Sequence, residues 1–275
     1  MTEIEPVSLA DAASVEPAGE DRFTADLASQ FTFFGYPNGG YLQCVVANAA
    51  LAAASDAGAA HLHATAVSSN FISSGPVGPA QLDTQVRRVG RGASFVHVSL
   101  RQGEALTMES LVTVGTLSES SQLRYQSSSP PALAPWSDCV DLPVPEGMPI
   151  YGSVHLRADP DSPQWWNGER GPGEISLWMR LKDAGGPWDP GSLFLALDAL
   201  PPATLLLGSN GWVPTLQLTS YVRRIPSSEW LRARQWCVVV ADGLVDERCE
   251  LFDDNGEMVA CSSQLAMVRF AQSSS

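Results

Sequence analysis

The chain has 275 residues, 44% of them apolar and only 17% charged, and a net charge of −14. That length carries one large or two ordinary domains with a sizeable core. The acidic balance excludes nucleic acid as a partner, since phosphate binding needs clustered Lys and Arg, and no stretch has the uncharged length of a bilayer span.

Residues 1–21 form an acidic N-terminal segment without the basic start and apolar run of a signal peptide, which predicts a cytoplasmic chain. The five cysteines are scattered and form no CxxC pair, so neither disulfides nor structural zinc are expected. Next, "FTFFGYPNGG" runs into "YLQCVVANAALAAASD", a helix pattern apolar nearly all round and opened by Gly39-Gly40. Such a helix belongs inside a structure, wrapped on most sides. Four segments with strand alternation follow between residues 64 and 117: "ATAVSSNFI", "AQLDTQVRRVGR", "ASFVHVSLRQG" and "ALTMESLVTVGTL".

A Pro/Ser-rich stretch over residues 118–172 reads as a linker with a long loop. After it "ISLWMRL" predicts a strand, and "DPGSLFLALDALPPATLLLG" predicts a second apolar helix opened by a Pro-Gly break. Four more strand-like segments end the chain: "PTLQLTSYVRRIP", "EWLRARQWCVVVA", "LVDERCELFDDNG" and "EMVACSSQLAMVRF". Helix then four strands, twice, indicates an internal duplication. "TAVSSNFISSGP" from Thr65 and "TLQLTSYVRRIP" from Thr215 align at a shift of 150 residues, which also sets Asn48 against Asp198. Three residues more at the last turn set Leu111 against Gln264. The expected architecture is α+β, two tandem units that join their sheets edge to edge. Their boundaries are 22–117 for the first and 173–275 for the second, which carries the carboxylate.

The halves differ where chemistry is available. Asp198 stands in the middle of an apolar helix, where a carboxylate is costly unless paired or used. A structural Asp bonded to a strand end is the alternative. With the hydroxyl of Thr215 and the amide of Gln264 it makes a set able to hold and deprotonate a water. Gly39 and Gly40 open a helix whose N–H groups and dipole favour a developing oxyanion; a plain turn before a helix is the other reading. A pseudo-twofold pairing of the units brings Gly40 and Asp198 to one cleft. Arg88 and Arg91, with Arg87, Arg223 and Arg224, are the basic clusters able to meet cofactor phosphates, or else are solvated strand ends. His61 and His63 alternate as metal ligands can, but no third ligand lies nearby in sequence. Walker, GxGxxG, GxSxG and HExxH motifs are absent.

"GYPNGGYLQCVVANAALAAA" with "FISSGPVGPAQLDTQVRRVGRGASFVHVSLRQ", and "LALDALPP…WVPTLQLTSYVRRIPSSEWLRAR" with "LFDDNGEMVACSSQLAMVR", resemble the two halves of acyl-CoA thioesterase II-like double-hotdog proteins. The resemblance covers residues 22–117 and 175–270 and implies two hotdog units, each a curved antiparallel sheet wrapped around a central helix. It implies hydrolysis of acyl-CoA to a free acid and CoA, in fatty acid metabolism, by a water that Asp198, Thr215 and Gln264 position. Gly39 and Gly40 would supply the oxyanion contact, and Asn38, Tyr41, Arg88 and Arg91 would touch the substrate. Neither metal nor cofactor is needed beyond the CoA of the substrate, no membrane partner is expected, and further sheet packing into homo-oligomers is common in such folds. Better-known members carry Asp-His shortly after the Thr, where this chain has Gln217-Leu218. That departure keeps a non-catalytic acyl-CoA-binding protein as an alternative. A hotdog hydratase or dehydratase is the third, disfavoured because no His lies on either helix.

Overall fold

Two antiparallel sheets share one edge in the computed structural model, which describes residues 7–118, 123–182 and 187–270. Parts of three predicted segments therefore lie outside the described residues: 1–6 of the acidic segment, 119–122 of the linker, and 183–186 and 271–275 of the second unit.

A single turn, α1 (Leu9–Ala12), precedes β1 (Glu16–Pro17) and β2 (Arg22–Leu27). A hairpin of β3 (Thr32–Phe33) and β4 (Tyr36–Pro37) leads into α2 (Gly39–Asp56), and β5 (His63–Phe71), β6 (Gly78–Arg88), β7 (Ser94–Gln102) and β8 (Ala105–Gly115) follow. Asn38 caps α2 by accepting from the Tyr41 N–H, and Gly58, at a φ of 85°, turns the chain away just past its end. The helix packs on β5 to β8 and on the second half, so its residues from Gly40 to Ala47 are all buried. Its lack of a polar face follows from that enclosure.

The stretch expected as linker contributes to the second sheet. It holds β9 (Val140–Asp141), the turn α3 (Ile150–Ser153) and β10 (Val154–Ala158), which pairs with β11 (Glu174–Leu181). Val154, Leu156 and Ala158 alternate inward. Five residues between polar neighbours are too short a run to stand out as a strand in sequence. The second apolar helix is also not continuous: α4 (Leu193–Ala196) and α5 (Thr204–Leu207) are single turns on either side of Pro201-Pro202. Proline removes the N–H donor and clashes with the preceding turn. The chain closes with β12 (Thr215–Val222), β13 (Leu231–Ala241), β14 (Leu244–Phe252) and β15 (Met258–Met267).

Among the described residues the strand order is β1-β2-β6-β7-β8-β5-β12-β15-β14-β13-β11-β10-β9. The seam is β5 on β12, antiparallel, with Ser68 facing Thr219, Ser69 facing Leu218 and Val67 facing Ser220. The halves thus cover each other's edges. The seam also corrects the alignment of the repeat. Residues that face the same way match at a shift of 151, not 150: Ser68 and Thr219 meet across the seam through their hydroxyls at 2.9 Å. At that shift the side-chain turns leading into the helices coincide, because Asp189 accepts from the Ser192 N–H as Asn38 does from Tyr41. So do the β-bulges, at Thr65 in β5 and Leu216 in β12. A slip of one residue puts every strand side chain on the wrong face. Asn48, set against Asp198 by the sequence, instead donates to the Ala13 carbonyl at 2.8 Å.

No helix among the described residues is long and apolar enough to cross a membrane.

Candidate active site

Where α2 begins, it crosses α4 at unusually close range. A Cβ on Gly39 would lie 2.9 Å from Asp198 Oδ2, and one on Gly40 would lie 2.8 Å from Asp198 Cβ and collide with the Phe194 carbonyl. The two glycines are therefore a packing requirement. They let Asp198, two residues beyond α4, reach the first turn of α2. There its Oδ2 accepts from the Gly40 N–H and from Asn38 Nδ2, each at 2.9 Å. Burial pushes the Asp198 carboxyl up to about 6, against the pull of the Gly40 and Asn38 hydrogen bonds, and the negative charge of Glu247 adds to the rise.

Asp198 opens on a cavity of about 690 Å³ between the halves, a volume ordinary for a small-molecule site. Thr215 and Gln264 line the same cavity, with the Thr215 hydroxyl 3.4 Å from Gln264 Oε1. Thr215 faces inward because of the bulge at Leu216. Leu218, Ser220 and Val222 point into the core, and without the extra residue the alternation would turn Thr215 outward. The remaining lining is largely apolar and aromatic, including Phe33, Leu42, Phe71, Met148, Tyr151 and Trp165. Part of it, Trp165 included, comes from the stretch that reads as linker.

Asn38 and Gly39 also border the cavity, and the remaining expected residues are placed differently. The Gly40 N–H, expected to meet an oxyanion, is taken by the Asp198 carboxylate. Asn38 is buried and holds Asp198 through both its side-chain oxygen and its main-chain carbonyl. Tyr41 is in the core: its hydroxyl donates to the Ala12 carbonyl at 2.6 Å and its ring stacks on Phe31. Arg88 and Arg91 are exposed and do not line the cavity. His63 accepts from the Leu117 N–H, and the described residues contain no cluster of three metal-binding side chains. Of the pair that departs from the family pattern, Leu218 is fully buried beside Gln264, while Gln217 points outward.

One residue was missed in the sequence. Glu247 on β14 is 1% exposed and pairs with Gln264 across the sheet. Its Oε1 accepts from the Ala203 N–H at 2.8 Å, and its Oε2 from Gln264 Nε2 at 2.7 Å and from Gln235 Nε2 at 3.3 Å. Burial raises its pKa, opposed by hydrogen bonds from Gln264 first and then from the Ala203 N–H. With the repeat in its corrected register, 151 residues as far as β14 and 152 in β15, where the strand pairing shows one more residue in the turn, Asp198, Thr215, Glu247 and Gln264 correspond to Ala47, Ala64, Val96 and Val112. Those four are all buried and apolar. The first half fills with hydrocarbon the place where the second half has an acid, a hydroxyl, a second acid and an amide.

The chain matches the models of the acyl-CoA thioesterase N-terminal domain over residues 27–117 and C-terminal domain over residues 136–268. It is similar to the crystal structure of a putative thioesterase II from Thermobifida fusca, with 32% identity, a TM-score of 0.86, and coverage of 96% of this chain and 98% of that one. A hot dog fold protein of unknown function from Alicyclobacillus acidocaldarius superposes at a TM-score of 0.81 with 19% identity, over 95% of this chain and 97% of that one. An uncharacterized protein of Mycobacterium tuberculosis is 29% identical over 267 residues, 90% of either chain. Fold, duplication and both domain matches agree: the chain is a double hotdog and belongs to the acyl-CoA thioesterase family.

Proposed function

We propose that this thioesterase hydrolyses acyl-CoA by direct attack of a water held between Asp198, Thr215 and Gln264. The observation that carries the reading is the convergence of these three side chains on one cavity, from the turn after α4, from β12 and from β15. The water gives one hydrogen to the Asp198 carboxylate and directs the other to Gln264 Oε1, with the Thr215 hydroxyl limiting where it sits. Its oxygen bonds to the thioester carbon, the C–S bond breaks, and the proton taken by Asp198 passes to the leaving sulfur. The products are a carboxylic acid and the CoA thiol, and Asp198 returns to its ionised form.

Asn38 and Gly40 keep the carboxylate aimed while the base works. The apolar cavity wall suits the acyl chain, and Tyr151 and Trp165 suit an acyl group with bulk or unsaturation near the thioester. Positioned general base catalysis contributes about 10² to 10⁴ in rate. Asp198→Asn is accordingly expected to lose that much in kcat, read as thiol release across short, long and aromatic acyl-CoAs, with its thermal unfolding still cooperative. A folded Asp198→Asn protein that turns over at the wild-type rate overturns the reading.

A further inference from the structure

A side-chain amide has two nearly isosteric ends with opposite hydrogen-bonding character, and its neighbours decide which end faces which way. Gln264 presents this choice to the reacting water. In the structure Nε2 is turned away from the cavity, toward Glu247 Oε2 at 2.7 Å, and Oε1 is on the Thr215 side at 3.4 Å. Glu247 has no role in the proposed reaction, and burying a second carboxylate close to the first is costly. Among the described residues the groups that bond to it are donors: the Ala203 N–H, the Thr204 N–H, Gln235, Gln264 and, at 3.7 Å, the Cys237 thiol. An ionised carboxylate accepts from every one of them, whereas a protonated one would set its O–H against a donor.

We propose that Glu247 is a positioning residue for hydrolysis: an acceptor-only carboxylate behind the site that locks the Gln264 amide with its oxygen toward the water. The inference depends on the water reading above. A second observation comes from the repeat. The Glu247 position in the first half is Val96, across the sheet from Val112, which stands where Gln264 stands. The acid and the amide are thus present together in one half, and both are replaced by Val in the other. A carboxylate needed only to hold β14 against β15 would have no reason to follow the amide.

Glu247→Gln keeps the shape and reverses one end. With its Oε1 on the Ala203 N–H, the new amide presents N–H to Gln264 Nε2, and Gln264 turns over to place a donor where the water needs an acceptor. The titratable groups around the two carboxylates are Tyr151 from α3, Cys237 from β13 and Cys249 from β14, all held neutral by burial. Removing the Glu247 charge therefore lowers the pH at which Asp198 ionises.

The experiment measures kcat, KM and the acid limb of kcat/KM for wild type, Glu247→Gln and Asp198→Asn on one acyl-CoA that the wild type hydrolyses. For Glu247→Gln the expected result is a fall in kcat of about ten- to hundredfold, the size seen when partners behind reacting groups are removed. KM should stay within about threefold, since only a transition-state contact changes, and the acid limb should move to lower pH. Wild-type kcat and an unmoved limb in Glu247→Gln, with Asp198→Asn inactive, overturn the role of Glu247 and leave the water reading standing. Wild-type activity in Asp198→Asn overturns both. If Glu247→Gln does not fold, the exchange Glu247→Gln with Gln264→Glu is measured at pH 8. It again faces one donor with one acceptor and leaves an acceptor on the cavity. Measurable turnover supports the inference, and a folded but inactive exchange variant overturns it.

Discussion

Asp198 is placed to work near neutral pH by opposing influences on one carboxylate. Burial and the Glu247 charge favour the protonated form, and the Gly40 N–H and Asn38 amide favour the ionised one, leaving it at about 6. General base catalysis needs the ionised form, so kcat/KM should rise as pH increases through about 6 and level off above it. A profile flat from pH 5 to 8 on a substrate whose chemical step is rate-limiting would contradict this placement. Asp198, Thr215 and Gln264 were legible in the sequence because an acid in an apolar helix stands out, and because the resemblance pointed to the same positions. Glu247 was not. At the shift of 150 residues its counterpart is the polar, half-exposed His97, so an acid there looked ordinary. In the corrected register the counterpart is the buried Val96, and the asymmetry becomes plain.

Each element reaches the site through a local irregularity. Gly39-Gly40 allow α2 to touch α4, the break between α4 and α5 that contains Pro201-Pro202 leaves Asp198 in a turn, and the bulge at Leu216 turns Thr215 inward. Proline and glycine are readable in sequence, which is why the helix start could be connected with Asp198 from the double glycine. A bulge has no comparable residue signature, and the sequence alignment followed the Thr and Pro shared by "TAVSSNFISSGP" and "TLQLTSYVRRIP", which lie one residue out of register in the strands. Gly40→Ala tests the close approach. The added Cβ meets the Phe194 carbonyl and Asp198, which must move apart. The expected cost is about 1–3 kcal/mol of stability by denaturant unfolding, with a fall in kcat because the Gly40 N–H no longer holds the carboxylate. Unchanged stability and unchanged kcat together would mean that the helices do not meet there as described.

Across the whole molecule, duplication supplies two helix-and-sheet units and the seam between β5 and β12 joins them, yet the proposed catalytic groups lie in one. Asp198, the proposed base, comes from the second half and is held by Asn38, Gly39 and Gly40 of the first, so neither half carries the proposed site alone. The double-hotdog plan was legible because helix and strand periodicities repeat. The contribution of residues 140–158 was not, because β9 and β10 are short and acquire meaning only from the strands they pair with. The central claim is that water, activated by Asp198, attacks the thioester directly. A carboxylate this close to the substrate has another option, direct attack to form an acyl anhydride. Single-turnover hydrolysis in ¹⁸O-labelled water, with enzyme in excess over acyl-CoA, separates direct attack from an anhydride that water opens at the Asp198 carboxyl carbon. Direct attack by water predicts one ¹⁸O in the carboxylic acid on the first turnover and none in Asp198. An unlabelled acid from that turnover, with the label appearing in the Asp198 carboxylate, would contradict the account.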